Sequence, residues 1–65
     1  MIFPFNAGEV FKIALKIEDN GHLFYKSAAA KPFPPEIVEL FNDLAKEELA
    51  HKAIFTALMK KLPNE

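Results

Sequence analysis

Lys31-Pro32-Phe33-Pro34-Pro35 sits at the midpoint of a 65-residue chain whose two halves both read as amphipathic helix. Proline cannot donate a helical backbone hydrogen bond, and it pushes the residue before it out of helical conformation. One continuous helix is therefore ruled out. The short connection implies an antiparallel helical hairpin. The first helix is expected over about residues 6–30. Asn6-Ala7-Gly8-Glu9 reads as a capping box, with Phe5 and Val10 at the positions of a hydrophobic staple, and Gly21 is a weak point in the interior. The second is expected over about residues 35–62, with Pro35 in its first turn, Glu36 at its positive end, Lys60 and Lys61 at its negative end and Pro63 beyond. The chain reads as a single domain over residues 1–65, with no strand pattern, repeat or linker.

Projected at helical spacing, the first helix gathers Phe11, Ala14, Leu15, Gly21, Tyr25 and Ala29 within about 60° of Glu18. Val10, Ile13, Ile17 and Phe24 widen that face on one side, while Lys12, Lys16, Asp19 and Lys26 avoid it. In the second helix, Glu48 lies close to Ile37, Phe41 and Phe55. His51, three residues on and on the same side, joins Leu44 and Leu58. Two carboxylates and an imidazole thus occupy apolar faces, where an unpaired charge is costly. A bound cation removes that cost.

Composition narrows the chemistry. There are no cysteines, so disulfides and thiolate-bound metals are excluded, leaving oxygen and nitrogen donors. The net charge of −1 is scattered, with no basic stripe for nucleic acid and no polybasic membrane patch. No apolar run is long enough to span a bilayer. The apolar start, Met1-Ile2-Phe3-Pro4-Phe5, lacks the basic region and length of a secretory signal, so the expected location is cytoplasmic. At 51% hydrophobic residues, the chain carries more apolar surface than two helices can hide from water. A homodimer with four helices, or a larger even oligomer, would cover it.

Glu18 and Glu48 stand at the same level of the hairpin, each about 22 Å from the bend at about 1.5 Å per residue. Both lie near mid-helix, so a two-fold pairing of hairpins would gather two Glu18, two Glu48 and two His51 in one core. That is the donor set of di-iron and di-manganese carboxylate bundles. Carboxylates bridge and neutralise paired cations, and neutral imidazole suits iron, manganese or zinc. Tyr25, two turns from Glu18, is placed to donate a hydrogen bond to a ligand or to act as a nearby redox-active phenol; its competing role is an ordinary core aromatic. His22 is within reach of the site, and Glu47 is a rival acid at the edge of the stripe.

The segments Glu18-Asp19-Asn20-Gly21-His22-Leu23-Phe24-Tyr25 and Phe41 to His51, with Glu48-Leu49-Ala50-His51 at its end, resemble the first half of rubrerythrin-like members of the ferritin-like superfamily. The resemblance covers both helices. It implies a ferritin-like four-helix bundle, with Glu18 bridging or terminally ligating, Glu48 bridging or chelating, and His51 capping one iron. Two irons per dimer are implied, with manganese or zinc as alternatives. The implied activity is oxidation of Fe(II) by O₂ or peroxide, as in a ferroxidase or a peroxide scavenger. This sequence departs from the usual pattern in lacking a second helix pair and a cysteine-ligated rubredoxin iron, so a peroxidase cycle would need an external electron donor. The short form is similar to encapsulated ferritins, in which one helix pair per chain completes the site across a dimer interface. Leu62-Pro63-Asn64-Glu65 shows no encapsulin-targeting tail.

Two other readings compete. One is a non-catalytic dimerisation module whose buried polar cluster sets helix register without metal. The other makes the chain the N-terminal half of a longer rubrerythrin-like protein.

Overall fold

The computed structural model describes residues 5–63. Residues 1–4 and 64–65 lie outside the described part, and with them most of the apolar N-terminal stretch and the end of the C-terminal tail. The architecture is all-α: helix α1 spans Ala7–Ala29 and helix α2 spans Pro35–Met59. They form an antiparallel hairpin 47 Å long, 25 Å wide and 15 Å thick.

Local chemistry sets the helix limits. Asn6 caps α1, its side-chain oxygen accepting from the Glu9 backbone N–H at 2.8 Å, while Glu9 reaches back to the Asn6 N–H at 3.5 Å. Two amide groups that would otherwise face solvent alone are thereby satisfied. The chain leaves α1 after Ala29 through the proline-rich turn, and Pro35 starts α2 where no helical N–H is needed. Its neighbour Pro34 offers no side-chain cap, so the first amides of α2 depend on backbone carbonyls. Those of Ile37 and Val38 donate to the Pro34 carbonyl at 2.9 and 3.1 Å. The end of α2 falls at Met59, earlier than the position of Pro63 suggests. The Lys60 amide still bonds four residues back to Thr56, but those of Lys61 and Leu62 bond three back, to Leu58 and Met59, which tightens the chain into turns.

Contacts along the hairpin show the antiparallel register directly. Phe11 meets Phe55 with ring centroids 6.2 Å apart, His22 reaches the Ala45 carbonyl, and Tyr25 stacks on Phe41 at 6.3 Å. At the bend, Phe33 closes against Phe41 at 5.7 Å. Outside this seam, Lys52 pairs with Asp19 at 2.7 Å, between side chains 42% and 50% exposed. Ion pairs so open to water contribute about 0–1 kcal/mol each.

Burial is the deficient quantity. Among the described residues only Ala45 is fully buried. Large apolar side chains remain open to water on both helices, including Ile17 at 61%, Phe24 at 66% and Ile54 at 55% exposed. Among the described residues no helix is long and apolar enough to cross a membrane.

Replacing the cap should be felt despite its exposure. Asn6→Ala is expected to lower stability by about 1 kcal/mol, seen as a reduced urea midpoint with unchanged slope at fixed protein concentration. An unchanged midpoint would show that the α1 start is held by other contacts.

Candidate metal centre

The helical faces that bring the two acids together also hold them close. Glu18 rises from the middle of α1, and Glu48 and His51 from one side of α2. In the hairpin each contributes one donor atom to a set lying within 4.8 Å of one another. Among the described residues, this is the group of carboxylates and imidazole close enough to share a cation. His51 Nδ1 lies 3.3 Å from Glu18 Oε2. The two side chains differ in setting, Glu18 being 12% exposed and His51 52%. The centre is thus closed towards the hairpin seam and open on the side of His51.

Three observations bear on whether these residues fit a metal ion. First, Glu18 Oε2 is buried and accepts no hydrogen bond, a costly condition for a carboxylate oxygen in the absence of a cation. Second, the Glu48 carboxyl is held above its ordinary value of 4.5. The largest cause is a hydrogen bond to Glu18 that only the protonated acid can make. Partial burial and the Glu18 and Glu47 charges add to it, and His51 opposes it. Two carboxyls close enough to perturb each other's ionisation are close enough to share a metal ion. Third, the donor set of oxygen and imidazole nitrogen is the one that iron, manganese and zinc accept. The residues fit.

Gly21 supplies the space. A Cβ at this position would stand 3.0 Å from both Cδ and Oε2 of Glu48, and 3.3 Å from its Cγ. Its role is clearance: α1 lacks a side chain where the Glu48 carboxylate lies against it. From the sequence Gly21 registers as a helix-weakening residue on the same face as Glu18, which gives its position but not the clearance it provides.

The remaining candidates separate cleanly. His22 turns to α2, where Nδ1 stands 3.0 Å from the Ala45 carbonyl oxygen. An oxygen of this kind only accepts, so Nδ1 carries the proton and donates. His22 therefore ties the helices together beside the site and is absent from the donor group. Glu47 is exposed and also outside that group. Tyr25 is held between aromatic rings, edge-on to Phe24 at 5.4 Å and stacked on Phe41 at 6.3 Å.

Two outcomes follow. Gly21→Ala should raise intrinsic helix stability by up to about 1 kcal/mol while displacing the Glu48 carboxylate. Metal affinity should therefore fall without loss of the fold, a split read by calorimetry and circular dichroism on one sample. Proton linkage gives the second. A carboxyl whose folded-state value is raised binds its proton more tightly folded than unfolded, so its contribution to stability is complete below 4.5 and fades as pH rises through the folded value. Metal-free protein should accordingly gain thermal stability, relative to Glu48→Gln, as pH falls from neutral towards 4.5. A difference that stays flat over that range would overturn the raised Glu48 value.

Comparison with known proteins agrees with the geometry. Neither the curated proteins nor the solved structures gave a match. The sequence model of the rubrerythrin family matches residues 9–65, which takes in nearly all of α1, the turn and the whole of α2. The same span carries Glu18, Gly21, Glu48 and His51, and on that match the chain belongs to the rubrerythrin family.

Proposed function

We propose that two copies of this hairpin pair into a four-helix bundle and together hold a di-iron carboxylate centre at which Fe(II) is oxidised by O₂ or peroxide. The observation that carries this reading is the convergence of Glu18, Glu48 and His51 at mid-hairpin, with a buried carboxylate oxygen that accepts no hydrogen bond. Membership in a family whose members typically bind iron supports iron as the metal; the same donors accept manganese or zinc. A single hairpin offers two carboxylates and one imidazole. A second copy doubles these to the four carboxylates and two imidazoles of a di-metal bundle.

Each residue has a definable task. Glu18, far less exposed than His51, presents its carboxylate at the seam and draws the cation inward. Glu48 holds its proton more tightly than an ordinary carboxyl, so metal uptake competes with that proton and weakens in acid. His51 presents a ring nitrogen next to Glu18 from the open side, where the second hairpin would close over it. Gly21 keeps the Glu48 carboxylate unobstructed. Tyr25 would stand as a nearby phenol two turns from Glu18. Bound Fe(II) supplies the electrons that reduce the oxidant.

A second reading, a metal-free pairing module held by a polar cluster, draws on the His51–Glu18 contact. Anaerobic Fe(II) titration of metal-free protein separates the two. Tight binding of about one iron per chain, lost in Glu48→Ala, is the expected result. Absence of tight binding, with dimerisation sensitive to Glu48→Ala, would favour the module.

A further inference from the structure

Most of the large apolar residues that stay exposed on the helices form a pattern with its own symmetry, Leu23 and Leu49 lying off it. On α2 one helical stripe contains Leu40, Leu44, Glu47, His51, Ile54 and Leu58. Leu40 is 49% exposed, Ile54 55% and Leu58 43%, and Glu47 and His51 are open between them. Leu40 with Leu58, Leu44 with Ile54, and Glu47 with His51 all share one midpoint, the level of Leu49. On α1 the exposed stripe is Val10, Ile13, Ile17 and Phe24. Its midpoint is Ile17: Val10 and Phe24 flank it equally, and the counterpart of Ile13 is Gly21, which leaves room.

The two midpoints coincide in space. Phe11 faces Phe55 and Tyr25 faces Phe41; counting inward from either contact brings Ile17 level with Leu49. The stripes also share a side of the hairpin. Each is rotated in the same sense from the line along which its helix touches the other. Because the helices are antiparallel, that common sense puts both stripes on one face. Charge has the same polarity along α2. Before Leu49 it carries Glu36, Glu39, Asp43, Glu47 and Glu48 against the single Lys46. After Leu49 the described residues carry Lys52, Lys60 and Lys61 and no acid.

We propose that a second copy docks on this face with its two-fold axis at the level of Ile17 and Leu49, and that Glu47 of each copy then meets the partner's His51. This rests on the homodimer reading and adds the register and a role for Glu47. Antiparallel α2 helices about that axis lay the acidic half of one along the basic half of the other, and Leu40 and Leu44 against the partner's Leu58 and Ile54. A parallel arrangement sets like charges side by side. The pairing also completes the setting of His51. One ring nitrogen lies beside Glu18 of its own chain, and a carboxylate from the other chain takes the opposite nitrogen and fixes the ring's orientation. Metal-binding histidines generally have such a partner, and its loss typically lowers metal affinity 10–100-fold. Glu47 is thus a positioning residue, neither a ligand nor a mere solvating charge.

The chain has no cysteine, so introduced thiols report without interference. Sedimentation first establishes the mass, then single and paired cysteine variants are oxidised under mild conditions. The register predicts that Ile17→Cys links to its own copy. Leu40→Cys alone does not, because its two copies lie about 27 Å apart along the axis at about 1.5 Å per residue. Leu40→Cys combined with Leu58→Cys does. A dimer with any other linkage pattern overturns this register while leaving the homodimer standing; a monomer in the presence and absence of Fe(II) overturns both. For the role of Glu47, Glu47→Gln should keep the dimer and weaken Fe(II) binding about tenfold or more, with no further loss when added to His51→Ala. Unchanged affinity, or losses that simply add, would return Glu47 to the solvent.

Discussion

Two helices in contact enclose a seam and no interior, and every other property of this chain descends from that limit. Among the described residues Ala45 is the one withdrawn from water, while leucines, isoleucines and phenylalanines of good packing size stand open. A carboxylate near such a seam is neither well solvated nor well enclosed. The hairpin places two there, at the level where its most buried residue lets α2 approach α1. The site and the incomplete core share one geometry: on the proposed pairing, the layer that covers the face also brings the remaining ligands.

Close approach at this level is made by absence of side chain. Gly21 clears the Glu48 carboxylate, and the small Ala45 sits where His22 donates to its carbonyl across the helices. A leucine at either place would fill space and bury more apolar area, but would separate the donors. Local stability has been exchanged for proximity of like charges, the kind of conflict that marks functional positions in otherwise consistent sequences.

Much of this is legible in the residues alone. Proline chemistry and the Asn6–Glu9 capping box announce the hairpin, and helical periodicity puts Glu18, Glu48 and His51 on facing sides at one level. Less legible are features that depend on how deeply the helices settle. Whether His22 turns to the site or to the facing helix is decided by the reach to a backbone carbonyl, which no periodicity encodes. Gly21 reads as a flaw until the position of the Glu48 carboxylate is known. The early end of α2 depends on turn hydrogen bonds at Lys61 and Leu62, and the lysines there suit either a last turn or the loop after it. The match to the rubrerythrin family spans both helices and so fits the residues that periodicity singles out.

The near-absence of buried side chains has a thermodynamic consequence. If the covering layer is a second copy, the cooperative unit is the assembly, and the free energy of folding contains the logarithm of protomer concentration. Dilution, chelation and heat then displace one equilibrium, and a melting temperature quoted without chain and metal concentrations describes no property of the molecule. In a cell, such a chain would report the abundance of its own copies and of free metal through the fraction that is folded at all.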